Sequence, residues 1–114
     1  MKININPLSV NKAWQWKRFK TDNYKNYEIE MFYLLPDFEI PEWPLEIIIN
    51  IWFNSKASDI DNIIKPFLDI LSKKYGFNDN RIYKMYLEKE IVAKWSEYIE
   101  FSIRKYKKDL HNLK

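Results

Sequence analysis

The sequence predicts an α+β domain of two layers, a single mixed or antiparallel sheet with two helices packed on it. Three observations carry that expectation. Residues 45–53 (Leu-Glu-Ile-Ile-Ile-Asn-Ile-Trp-Phe) form a run of β-branched and aromatic residues, which suits a pleated, part-covered strand. Farther along, Ile60, Ile63, Ile64, Phe67, Leu68 and Leu71 fall at i, i+3, i+4, i+7, i+8 and i+11, one apolar stripe of a helix. The elements as a whole read strand, helix, strand, helix, strand, strand, an order that lays helices on one sheet. At 114 residues, 46% of them hydrophobic and 18% aromatic, the chain can build one core but not two.

Taken in order, Thr21-Asp22-Asn23-Tyr24 supplies helix-capping residues, and Tyr24, Tyr27, Met31, Leu34 and Leu35 recur at helical spacing until Pro36. A first helix over 22–35 follows. Pro41-Glu42-Trp43-Pro44 reads as a turn. In the strand at 45–53, Glu46 and Asn50 alternate with apolar neighbours, the pattern of a half-covered sheet. Ser58, three residues before Asp61, resembles a capping box with Asp in place of Glu. It opens a second helix that runs to about Tyr75, with Gly76 as its left-handed cap. Pro66 inside that helix predicts either a kink or a first turn that begins later than Ser58. Beyond the turn Asn78-Asp79-Asn80, strands are expected at 81–92 and 96–105, joined through Ala93-Lys94-Trp95 as a hairpin. Residues 1–106 then form a single domain and 107–114 a basic tail.

Composition removes most catalytic chemistries. There is no Cys, so disulfides, zinc–thiolate sites, Cys nucleophiles and iron–sulfur clusters are excluded. One Gly (Gly76) cannot build a P-loop, a dinucleotide-binding turn or a nucleophile elbow. A single His (His111) leaves almost nothing for histidine catalysis or His-ligated zinc. Any chemistry must come from Asp, Glu, Lys, Tyr or a hard metal ion. No apolar run reaches the roughly 20 residues of a membrane span, and the opening residues lack the apolar stretch of a signal peptide. The expected location is therefore cytoplasmic.

Charge is unevenly placed although the net is only +3. Residues 12–25 carry Lys12, Lys17, Arg18, Lys20 and Lys25 against Asp22 alone, with Trp14, Trp16 and Phe19 between them. Such a stretch can pair phosphates and stack bases, or it can be a solvated loop whose aromatic residues pack on the core. Residues 26–46 hold Glu28, Glu30, Asp37, Glu39, Glu42 and Glu46 and no Lys or Arg.

Three acids stand out. Asp59 and Asp61 flank the entrance of the second helix, and Asp79 lies in the turn that follows it. Helical residues two apart point about 200° from each other, so Asp59 and Asp61 converge only if Asp59 stays extended. Clustered carboxylates without His or Cys select a hard cation, Mg²⁺ or Mn²⁺. Lys65 lies one turn beyond Asp61 on the same flank, where a cation offsets charge in phosphoryl transfer; as a bland alternative it is an i,i+4 ion pair with Asp61. Asp69 lies opposite the apolar stripe. Helix capping and turn formation account for each Asp taken separately.

Taken together, Asp59-Ile60-Asp61-Asn62-Ile63-Ile64-Lys65-Pro66-Phe67-Leu68-Asp69 resembles the D-[IL]-D-N-x-x-K-P-x-x-D signature of the RusA family of Holliday junction resolvases. Gly76-Phe77-Asn78-Asp79-Asn80-Arg81-Ile82 is similar to that family's following turn, and Pro7-Leu8-Ser9-Val10-Asn11-Lys12 to its N-terminal DNA-contacting loop. The resemblance spans about residues 5–104. It implies a homodimeric, Mg²⁺-dependent endodeoxyribonuclease, Mn²⁺ able to substitute, that resolves four-way junctions by paired nicks in recombination, repair or phage DNA processing. It implies Asp59, Asp61 and Asp79 as metal-binding acids and Lys65 as the catalytic cation. Ser9, Val10, Asn11 and Lys12 would contact DNA, Lys89 matches a basic strand residue of the family, and Lys17, Arg18 and Lys20 of the basic segment would hold the duplex. Where the family's turn commonly carries two adjacent Asp, this chain has Asn78 before Asp79. Two other classes fit parts of the pattern: a branched-DNA-binding module without cleavage, and an interaction protein that recruits a partner through an exposed strand edge.

Overall fold

The computed structural model describes residues 1–8, 14–15, 19–20, 22–42, 44–56 and 59–107. Its elements are β1 (Lys2–Ile3), β2 (Trp14–Gln15), β3 (Phe19–Lys20), α1 (Asp22–Leu34), β4 (Leu45–Phe53), α2 (Ile60–Tyr75), a 3₁₀ turn (Asp79–Arg81), β5 (Ile82–Ile91) and β6 (Tyr98–Lys105). A four-stranded mixed sheet in the order β1-β6-β4-β5 carries both helices, and β2 and β3 form a separate two-stranded antiparallel ribbon. The two-layer α+β arrangement expected from the sequence is thus present.

Alternation in β4 explains the layering. Leu45, Ile47, Ile49 and Ile51 are fully buried and share one face with Ile99, Phe101 and Ile103 of β6, which pair across from them. Onto that face α2 lays Ile63, Phe67, Ile70 and Leu71, and α1 lays Tyr24, Tyr27 and Met31, all in one core cluster. Phe67 packs edge-on against Phe101 with ring centroids 5.5 Å apart. Truncation of Phe67 to Ala leaves a cavity that the flanking isoleucines cannot close. A loss of about 3–5 kcal/mol is expected, measured as a lower urea midpoint with an unchanged slope.

The opposite face of the sheet is open and polar-aromatic. Trp52 stacks on Tyr98 at 4.1 Å and donates its indole N–H to Glu90 at 2.8 Å, and Lys2 lies over the Tyr98 ring. Glu46 is the one buried charged residue among those described; Arg104 of β6 bonds it from one side and Lys84 of β5 approaches to 3.7 Å from the other. Each ion pair spans neighbouring strands, so β4 is tied on both sides by charge as well as by its backbone ladder.

Helix α2 begins at Ile60, and its cap is Asp59 rather than Ser58, which itself lies outside the described residues. The first turn thus begins later than Ser58, yet Pro66 remains beyond it as the seventh residue of the helix. Pro66 is buried inside the helix and cannot donate to the Asn62 carbonyl. At the far end Gly76 has φ 70 and ψ 42, and its N–H bonds the Ser72 carbonyl. Nothing lies within 4 Å of a β-carbon built there, so the requirement for glycine is conformational, not steric.

One expectation fails. Strands β5 and β6 are not a hairpin. β5 runs parallel to β4 and β6 antiparallel to it, on its two sides. The α2 crossover returns the chain to the starting end of β4, so β5 must run parallel. The next strand then pairs with the remaining free edge of β4, the most apolar strand of the sheet, and residues 92–97 cross over its end.

Candidate functional site

Because β4 and β5 run the same way, their ends divide the molecule into two poles. Phe53 and Ile91 pair at one pole, and the Val92 N–H bonds the Phe53 carbonyl there. The start of α2, the 92–97 connection and the residues that follow β1 all gather at this pole. The end of α2 and the turn before β5 lie at the opposite one.

Asp59 sits at the first pole with φ −70 and ψ 144. This is the extended backbone that frees it from the helical offset against Asp61. Its side chain makes no capping hydrogen bond, although a helix N-terminus favours one. Asp61 Oδ1 accepts the Asn62 N–H at 3.0 Å. Both acids are exposed, as is Lys65. Among the described residues Lys65 forms no ion pair, so the i,i+4 bridge to Asp61 is absent.

Asp79 stands at the other pole. It opens the 3₁₀ turn, and its Oδ1 lies 2.7 Å from the Ser72 hydroxyl, which also lies 2.9 Å from the Leu68 carbonyl. The hydroxyl has one proton and donates it to one of these acceptors at a time. From Asp61 to Ser72 the helix climbs about 17 Å at 1.5 Å per residue, which sets the distance between Asp79 and the other two acids. Among the described residues no group of three His, Cys, Asp or Glu is placed to hold a metal ion. A single chain therefore places Asp59 and Asp61 at one helix entrance and keeps Asp79 apart. The donor set is all oxygen, as Mg²⁺ prefers, but one chain supplies it in two separated parts.

Asn78 accepts the Asn80 N–H through its side chain at 3.1 Å, a turn-closing role that Asp fills equally well. Asp69, expected to point away, lines an open groove with Ser72 and Asp79.

No protein-family model matches the chain, and no curated protein matches it.

Of the expected DNA contacts, Ser9, Val10, Asn11, Lys12, Lys17 and Arg18 lie outside the described residues. Lys20 belongs to β3, paired by its backbone with Trp14. Lys89 lies in β5 opposite Ile51, half-buried. Sequence reasoning missed two features of the first pole. The first is a cavity of about 460 Å³ bordered by Asn6, Asn23, Asn26, Tyr27 and Asn54. Burial pushes the Tyr27 phenol well above its ordinary range, and among the described residues its hydroxyl meets no partner in hydrogen-bonding geometry. The density of Asn in the sequence was the available signal. The second is Trp95, described below.

Proposed function

We propose that this chain is a homodimeric, Mg²⁺-dependent endodeoxyribonuclease of the RusA type that resolves four-way DNA junctions. The observation that carries the reading is the placement of Asp59 and Asp61. They are two exposed carboxylates at a helix entrance, one extended and making no capping hydrogen bond, with Lys65 one turn on forming no ion pair among the described residues. A cap or a surface ion pair leaves both features without a purpose. The resemblance of residues 59–69 to the family signature supplies the substrate class.

The separation of Asp79 from this pair fits a dimer better than a monomer. β5 is the long edge of the sheet, and Tyr83, Met85, Tyr86 and Ile91 along it are exposed. An unpaired strand with apolar side chains is a template for a second strand, and two-fold symmetry is the commonest closed solution. If β5 pairs with its own copy, the two strands run antiparallel. The starting end of one, just past Asp79, then meets the finishing end of the other, beside Asp59 and Asp61. Two composite sites result, one for each strand to be cut.

In such a site the three carboxylates would hold the ion, and Lys65 would stand over the reacting phosphate. When bound, Mg²⁺ supplies charge neutralisation and activation of the attacking water. Water adds its oxygen to phosphorus, one P–O ester bond breaks, and the leaving oxygen takes up a proton. The Lys65 ammonium offsets the charge that accumulates on the phosphoryl oxygens.

The test is incubation with a synthetic four-way junction and Mg²⁺, reading nicks on all four strands. Symmetric paired nicks are expected, with light scattering giving twice the chain mass. A monomer that binds the junction and leaves it intact would overturn the proposal in favour of a binding module.

A further inference from the structure

The connection between β5 and β6 carries a residue in an unusual state. Trp95 has φ 76, the one positive φ outside glycine among the described residues. The Ser96 N–H bonds the Ala93 carbonyl at 3.0 Å, which makes Trp95 the third residue of a four-residue turn. Turns that need a positive φ at this position favour glycine, because a β-carbon is strained there. This chain places its bulkiest side chain on that strained backbone and leaves it 86% exposed. Both carboxylate oxygens of Glu97 take the Trp95 N–H, at 3.0 and 3.1 Å. The backbone is thus pinned while the ring projects without support from the core.

An exposed, strained tryptophan held by a dedicated carboxylate is not explained by folding. Its surroundings indicate what it meets. Lys94 Nζ lies 5.1 Å from the ring centroid, covering one face with a cation and leaving the other free. Ala93, Lys94 and Ser96 around it are exposed and do not extend it into an apolar patch, so it does not resemble the centre of a protein–protein contact. The turn also stands at the same pole as Asp59 and Asp61, on the connection that crosses the end of β4.

We propose that Trp95 is a nucleobase-stacking wedge: its free face takes an unstacked base of the DNA while Lys94 pairs the neighbouring phosphate. A flat aromatic surface beside a cation suits this ligand, since every base offers a π-face and every nucleotide a phosphate. The inference deepens the nuclease reading and rests on it for the choice of branched DNA, whose crossover bases are the most easily unstacked. Trp95 acts here in binding and positioning, not in the chemical step.

The Trp95→Gly variant separates a ligand role from a structural one, because glycine relieves the strained φ. Binding is measured without divalent ion, on a four-way junction and on a single-stranded oligonucleotide of mixed sequence. The expected result is a melting temperature at or above that of the unsubstituted protein, with affinity for both DNAs lower by roughly five- to a hundredfold. Trp95→Phe should recover most of that loss. Unchanged affinity in Trp95→Gly would overturn the wedge. So would a fall in melting temperature together with a fall in molecular mass, which would make Trp95 a contact between copies. A protein that nicks no junction yet shows the Trp95-dependent loss on single strands would refute the nuclease reading and leave the wedge standing.

Discussion

Mixing Asp61→Asn chains with Asp79→Asn chains should restore nicking that neither variant shows alone. In the proposed composite site each substitution would remove one of three oxygen donors' charges, so each variant alone should fall below detectable cleavage. Fold and junction binding should survive, because Asn caps a helix as well as Asp does and loss of a carboxylate reduces repulsion of phosphate. In a mixed dimer with composite sites, one site inherits both substitutions and the other inherits none. Refolding an equimolar mixture should then give cleavage on one of the two opposed strands, at up to half the junctions by random pairing. If all three acids acted within one chain, every site in the mixture would carry one substitution, and no cleavage would return. A 17 Å helix rise lying between Ser72, which contacts Asp79, and Asp61 is the reason to expect the first outcome.

Replacement of Lys65 by Ala should lower turnover about 10²–10³-fold, the usual effect of removing one group that stabilises transition-state charge. Junction affinity and thermal stability should hardly change. The side chain is exposed and makes no ion pair among the described residues, and surface substitutions of that kind stay within about 0.5 kcal/mol. Single-turnover cleavage under saturating enzyme separates the effects, since binding then drops out of the rate. A variant that cleaves normally under those conditions would return Lys65 to the role of a solvated surface residue.

Much of the fold was legible because it rests on local pattern. The stripe from Ile60 to Leu71, the Gly76 cap and the half-covered alternation of residues 45–53 each depend on residues close in sequence, and each is present. The pairing of β5 was not legible. Two strands separated by a six-residue connection look like a hairpin, and only the competition for the free edge of β4 decides otherwise. The short β2–β3 ribbon escaped for a different reason, since Trp14–Gln15 and Phe19–Lys20 are too brief to show a period. At the site, the extended state of Asp59 could be anticipated from its place before the helix. The distance to Asp79 could have been reckoned from helix length alone, at 1.5 Å per residue, and it argues against a cluster within one chain. Trp95 had no sequence signal, because nothing in Ala-Lys-Trp-Ser announces a positive φ.

The position of β4 also shapes how the chain reaches its native state. Both of its partners lie later in the sequence, and β1 finds its partner only in β6, where Lys2 faces Glu100 and the Met1 amine reaches the Phe101 carbonyl. During synthesis the most apolar strand therefore emerges before either of its partners and waits. The α2 crossover can deliver β5 early, but the other side of β4 stays open until β6 leaves the ribosome. Pairings this distant in sequence slow folding and prolong the exposure of sticky intermediates. The polar members of the strand, Glu46 and Asn50, then serve a second purpose in the nascent chain. They interrupt an isoleucine run that would otherwise be free to stack on other unfinished copies.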